Sequence, residues 1–143
     1  MLELYFYPMA CSLASRIALM EAGIETRYRL QEWLSFVATE IHKAFLFPTF
    51  WYKDDASKAS ARERIGQSVS VAAVHLASRD YLVGDRFTVA DAHLAWSLLL
   101  LGHGGVDVKQ WPSLVAYRDR IQARPQVKAA IGIEKALLKT VKT

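Results

Sequence analysis

The segment Phe87-Thr88-Val89-Ala90-Asp91 constrains this chain more than any other, because it marks the start of a helix twice over. Thr88 is a residue type that caps a helix N-terminus, and Asp91 stands three residues on, where a carboxylate can reach back to the cap's own amide. Phe87 occupies the staple position just before the cap. The turn Tyr81-Leu82-Val83-Gly84-Asp85-Arg86 leads into it. Leu94-Ala95-Trp96-Ser97-Leu98-Leu99-Leu100-Leu101 follows as a buried helix, and Gly102, Gly104 and Gly105 end it.

The helical period recurs on both sides. Trp33, Phe36, Val37, Ile41, Ala44 and Phe45 form an apolar stripe from residue 31 to about 46, which the aromatic turn Phe47-Pro48-Thr49-Phe50-Trp51-Tyr52 breaks. A further helix is expected from about Ser60 to Ala77 on Ile65, Val69, Ala72, Ala73 and Leu76. Pro112 suits the first turn of another through Leu114, Tyr117 and Ile121, and Arg124-Pro125 separates it from a last helix from Val127 to about Leu138.

Only residues 1–30 read differently. Leu2, Leu4 and Phe6 alternate with Glu3, Tyr5 and Tyr7, and Ile24, Thr26, Tyr28 and Leu30 alternate with Glu25, Arg27 and Arg29. Two parallel strands are expected, joined by a crossover helix from Leu13 to Ala22 with Ser12 as N-cap and Gly23 at its end. The expected fold is mostly α (α+β): a β-α-β unit over 1–30 and an all-helical bundle over 31–143.

With 143 residues, 52% of them hydrophobic, the chain can bury a sizeable core. No run approaches the ~18 apolar residues of a membrane span, and the amino terminus lacks the order of a signal peptide. A single cysteine excludes an internal disulfide, so a cytoplasmic protein without membrane partners is expected. The net charge of +4 comes from eighteen Lys and Arg residues spread along the chain, which argues against a nucleic-acid partner. No histidine, cysteine or carboxylate spacing suggests a metal.

Two groups of residues carry chemistry. Cys11 sits where a strand turns into a helix, and the unpaired amides of a helix N-terminus favour a thiolate. The alternative is a small buried hydrophobe, since the first thirty residues hold no histidine base. Ser35, Thr39, His42 and Lys43 follow at i, i+4, i+7 and i+8, which puts hydroxyls, an imidazole and an ammonium opposite the apolar stripe. The alternative there is a solvated face. His75, His93 and His103 lie in or beside apolar runs and read as ordinary helix residues.

Leu4-Tyr5-Phe6-Tyr7-Pro8-Met9-Ala10-Cys11-Ser12-Leu13 and the helix ending Glu21-Ala22-Gly23 resemble the amino terminus of bacterial, beta-class glutathione S-transferases, although Phe6 stands where that family often has tyrosine. Trp33-Leu34-Ser35-Phe36 with Thr39-Glu40-Ile41-His42-Lys43-Ala44-Phe45, and the capping segment around Thr88 and Asp91, resemble its helical domain. The resemblance implies a thioredoxin-like β-α-β unit, with Cys11 and His42 as catalytic residues and Ala10, Ser12, Ser35, Thr39 and Lys43 as glutathione-binding residues. It also implies glutathione as co-substrate, an apolar electrophile, a homodimer and a role in detoxification.

One stretch of the family's pattern is missing. Leu30 is followed at once by Gln31 of the helical domain, so the last strands of the thioredoxin-like unit, its cis-proline turn and its Glu-Ser pair have no counterpart. Neither Val-Pro nor Glu-Ser occurs in the chain. The expected function is glutathione conjugation, or thiol-disulfide exchange through Cys11. The alternatives are a non-catalytic helical dimerisation or binding module, or the degenerate product of an internally deleted gene.

Overall fold

A computed structural model describes residues 25–44 and 47–141, and it is mostly helical. Five α-helices appear in it: α1 (Glu25–Phe36), α2 (Asp55–Leu76), α3 (Val89–Leu100), α4 (Pro112–Gln122) and α5 (Pro125–Val141). Two π-helical turns, Val37–His42 and Phe47–Trp51, lie between α1 and α2. Short 3₁₀ turns at Leu101–Gly104 and Val108–Gln110 lie between α3 and α4. The expected first strand, the Leu13 to Ala22 helix and the Cys11 turn lie outside the described residues.

The second strand is corrected. Residues 25–30, expected to alternate in a sheet, are the first half of α1, and the expected boundary between residues 30 and 31 falls inside that helix. Leu30, Trp33, Leu34, Val37 and Ile41 recur at i, i+3, i+4, i+7 and i+11, so the helical stripe that begins the bundle extends backwards through this segment. Trp33, Val37 and Ile41 are buried, and Leu30 and Leu34 pack against the same core. Six alternating residues satisfy both periods, and burial against the bundle selects the helical one. Arg29 and Glu32, one turn apart, add an ion pair at 2.7 Å.

The remaining elements follow the residue pattern closely. Asp54 caps α2 by accepting from the Ser57 amide at 2.7 Å, which starts that helix before the expected Ser60. Pro112 stands in the first turn of α4, as expected. The turn after α3 closes on Gly105, whose φ of 79° is left-handed. Arg62 of α2 donates from Nε to the Gly104 carbonyl at 2.9 Å, and a Cβ on Gly105 would meet that nitrogen at 2.7 Å. Glycine is therefore required there both by conformation and by space.

Helix α3 is the centre of the bundle. It packs against the first π turn, α1, α4 and the 3₁₀ turn that continues it. Leu94, Leu98 and Leu101 on its inner face are buried with Ile65 and Val69 of α2 and Leu114 and Ile121 of α4. Each such side chain contributes about 1.5–3 kcal/mol by leaving water. Two polar bonds join α2 to α4: Trp111 Nε1 donates to Ser70 Oγ at 2.9 Å, and Ser113 Oγ donates to the Ala73 carbonyl at 3.0 Å.

Candidate functional site: a histidine pair between α3 and the first π turn

The site begins with the helix start that the sequence announces. The capping box at Thr88 and Asp91 forms, and its carboxylate is the stronger half. Asp91 is fully buried, and its Oδ2 accepts from the Thr88 amide and hydroxyl, both at 2.8 Å. Its Oδ1 accepts from the Leu82 amide at 2.9 Å and the Tyr117 hydroxyl at 2.8 Å. Burial, and then the adjacent carboxylate, push the Tyr117 hydroxyl far above its usual pKa, so it remains a donor. These bonds fix the axial position of α3, and His93 lies two residues beyond Asp91.

His42 reaches His93 through the π turn. The Lys43 amide donates to the Ala38 carbonyl at 2.9 Å, an i to i−5 bond that encloses one more residue than an α-helical bond. Each residue in such a turn advances through a smaller angle, which separates side chains that α-helical spacing would place together. Thr39 faces α2 and lines the grooves there. His42 meets His93 on α3, with Nδ1 and Nε2 3.3 Å apart and the ring centroids 5.1 Å apart at 78°. Burial first, and then the charge of His42, lower the pKa of His93.

The expected site residues are thus distributed. Ser35 is half-buried, and its carbonyl accepts from the Thr39 hydroxyl at 3.0 Å. Thr39 and Lys43 are exposed and His42 is half-buried. Ala10, Cys11 and Ser12 lie outside the described residues. His93, read from sequence as an ordinary helix residue, is the partner that sequence reasoning missed. Its place beside Leu94 and three residues after Ala90 puts it at the edge of a buried stripe, but a contact 51 residues away leaves no local pattern.

Two grooves flank α2. One, of about 660 Å³, is lined by Arg29, Trp33, Phe36, Val71, His75 and Arg79 among others. The second, of about 540 Å³, includes Phe47, Tyr52 and Arg64, and the two share Thr39, Glu40, Gln67 and Ser68. His75 donates from Nε2 to the Leu82 carbonyl at 2.9 Å and lies 4.5 Å from the Trp33 ring, and burial lowers its pKa. Among the described residues no group of three or more His, Cys, Asp or Glu is placed to hold a metal, and no helix is long and apolar enough to cross a membrane.

Residues 34–125 match the family model described as "Glutathione S-transferase, C-terminal domain". The chain belongs to that family. It is 28% identical to glutathione S-transferase GstA of Escherichia coli O157:H7 over 129 residues, covering 88% of this chain and 63% of that protein. Among solved structures it is similar to a glutathione transferase from Methylococcus capsulatus str. Bath, with 40% identity and a TM-score of 0.69 over 78% of this chain and 55% of that one. A sphingomonad glutathione S-transferase complexed with glutathione gives 32% identity and a TM-score of 0.70 over 92% of this chain and 59% of the other. The chain therefore spans less than two thirds of the length of these relatives.

Proposed function

We propose that the chain is a glutathione S-transferase-like protein that uses glutathione as co-substrate and His42 as the group that takes the thiol proton. The observation that carries this reading is the half-buried His42–His93 pair within a helical domain similar to that of a relative solved with glutathione. An imidazole is the side chain suited to exchange a proton with a thiol near neutral pH. The thiolate then attacks an apolar electrophile. A sulfur–carbon bond forms as the leaving group departs with its electron pair, and the thiol proton passes from His42 to water. Lys43, exposed beside His42, offers an ammonium to the carboxylates of glutathione, with the Ser35 and Thr39 hydroxyls as further polar contacts. Ala10 and Ser12 complete the binding residues in this reading, and Cys11 is the catalytic thiol for disulfide exchange. A cytoplasmic homodimer is the proposed assembly.

Since the Glu-Ser pair has no counterpart, several charge-assisted hydrogen bonds of ~1.5–3 kcal/mol each are absent, and glutathione should bind with a Kd of roughly hundreds of micromolar or weaker. Isothermal titration of the full chain with reduced glutathione checks the affinity. A conjugation assay with an activated aryl chloride checks the chemistry, and His42→Ala should reduce any rate above the spontaneous one by about 10². The absence of both binding heat and conjugation rate at millimolar glutathione would overturn this function, whereas low-micromolar binding would show that other residues rebuild the missing contacts.

A further inference from the structure

We infer that His93 is the positioning residue for His42: its Nε2 accepts the hydrogen of His42 Nδ1 and so holds His42 in the Nδ1–H tautomer, the one in which Nε2 is the basic nitrogen. This rests on the function proposed above. Between the two nitrogens, 3.3 Å apart, there is room for one hydrogen, so one imidazole must donate and the other accept. If His93 donated, the hydrogen of neutral His42 would sit on its Nε2, which could then not act as a base. Protonating His42 would also set two N–H groups against each other. If His42 donates, its Nε2 is the base, and the same bond persists after protonation as a stronger, charge-assisted one. Only this direction serves both states of the catalytic cycle.

The surroundings favour His93 as the acceptor. Its ring is half-buried, which favours the neutral form, and a second positive charge 3.3 Å from the first would be strongly disfavoured. The charged groups around it do not reverse this. On α3 the Asp91 carboxylate is already committed to Leu82, Thr88 and Tyr117. On the π turn Glu40 lies towards the α2 grooves, which Arg64 of α2 and the Arg29–Glu32 pair of α1 also line, and Lys43 is exposed. The backbone holds both rings in place. Ser97 Oγ donates to the His93 carbonyl at 2.8 Å, and the i to i−5 bond of Lys43 sets the rotation of His42.

The test is a long-range ¹H–¹⁵N spectrum of the imidazole nitrogens in the full chain at about pH 8, where an ordinary imidazole is neutral. His42 should be in the Nδ1–H tautomer. His93→Phe should return it to Nε2–H, and His93→Gln, whose amide oxygen can accept, should keep Nδ1–H. In the conjugation assay His93→Phe should lower kcat on the order of tenfold with KM for glutathione within about twofold, and His93→Gln should restore kcat to within about threefold. His42 found as Nε2–H in the unsubstituted chain overturns the inference, and this spectrum decides even if His93→Phe does not fold. An unchanged tautomer or an unchanged kcat in folded His93→Phe overturns it too. The expected tautomers in a chain that conjugates nothing would uphold the histidine pair and overturn the proposed function instead.

Discussion

The Tyr117 hydroxyl donates to the Asp91 carboxylate across 2.8 Å, and both side chains are buried. This one bond ties the first turn of α3 to the middle of α4. It makes Asp91 more than a helix cap, because the same carboxylate also holds the Leu82 amide of the preceding turn.

Substitutions in this group should therefore differ in cost. Thr88→Ala should destabilise by about 1 kcal/mol, the usual loss for an N-cap. Tyr117→Phe should cost about 1.5–3 kcal/mol, since it deletes a hydrogen bond to a charged group. Asp91→Ala should cost about 3–5 kcal/mol, because several donors lose their acceptor in the interior at once. Urea midpoints at constant slope measure all three. Equal losses would show that the carboxylate acts only as a cap.

The two left-handed glycines separate conformation from contact. Gly84, with φ of 64°, has nothing within 4 Å of an added Cβ, so Gly84→Ala should cost only the backbone strain, about 1 kcal/mol. Gly105→Ala adds a 2.7 Å approach to Arg62 Nε and breaks that side chain's bond to Gly104, so it should cost about 1–3 kcal/mol more. Thermal melts of the two variants provide the comparison, and similar melting temperatures would mean that Arg62 moves aside freely.

Acid should weaken the fold through its buried imidazoles. His75 and His93 both have pKa values lowered from the ordinary 6.5, chiefly by burial. Below that pH the unfolded chain takes up protons that the folded chain resists. The stability these groups provide is complete above about pH 6.5 and declines as the pH falls towards their lowered folded values. Urea midpoints at intervals from neutral to acid pH should trace this decline. His75→Gln, which retains a donor for the Leu82 carbonyl, should make it shallower. An identical pH profile for the variant would show that His75 titrates normally.

What the residues disclosed in advance was local. Thr88, Asp91 and Pro112 mark helix starts because a cap or a first-turn proline acts within three residues. Ile65, Val69, Ala72 and Leu76 repeat often enough to leave one period. Residues 25–30 misled because six alternating positions fit a strand as well as a helix, and the choice depends on what covers Tyr28 and Leu30. The earlier start of α2 was legible in Asp54 and Ser57 but outweighed by the apolar stripe that begins later. The Tyr117–Asp91 bond and the His42–His93 contact join distant positions, so no local pattern carries them. The π turn has no residue signature, since its extra residue is a matter of backbone counting.

That counting also decides how the segment can change length. Shortening the first π turn by one residue would return Val37–His42 to ordinary helical winding with its backbone bonds intact. Four α-helical steps of about 100° carry the chain through nearly the same angle as five narrower π steps, so the imidazole at the end would still face α3. The segment therefore tolerates loss of a single codon better than a regular helix would, and a chain shortened there would remain helical with its two histidines still facing each other.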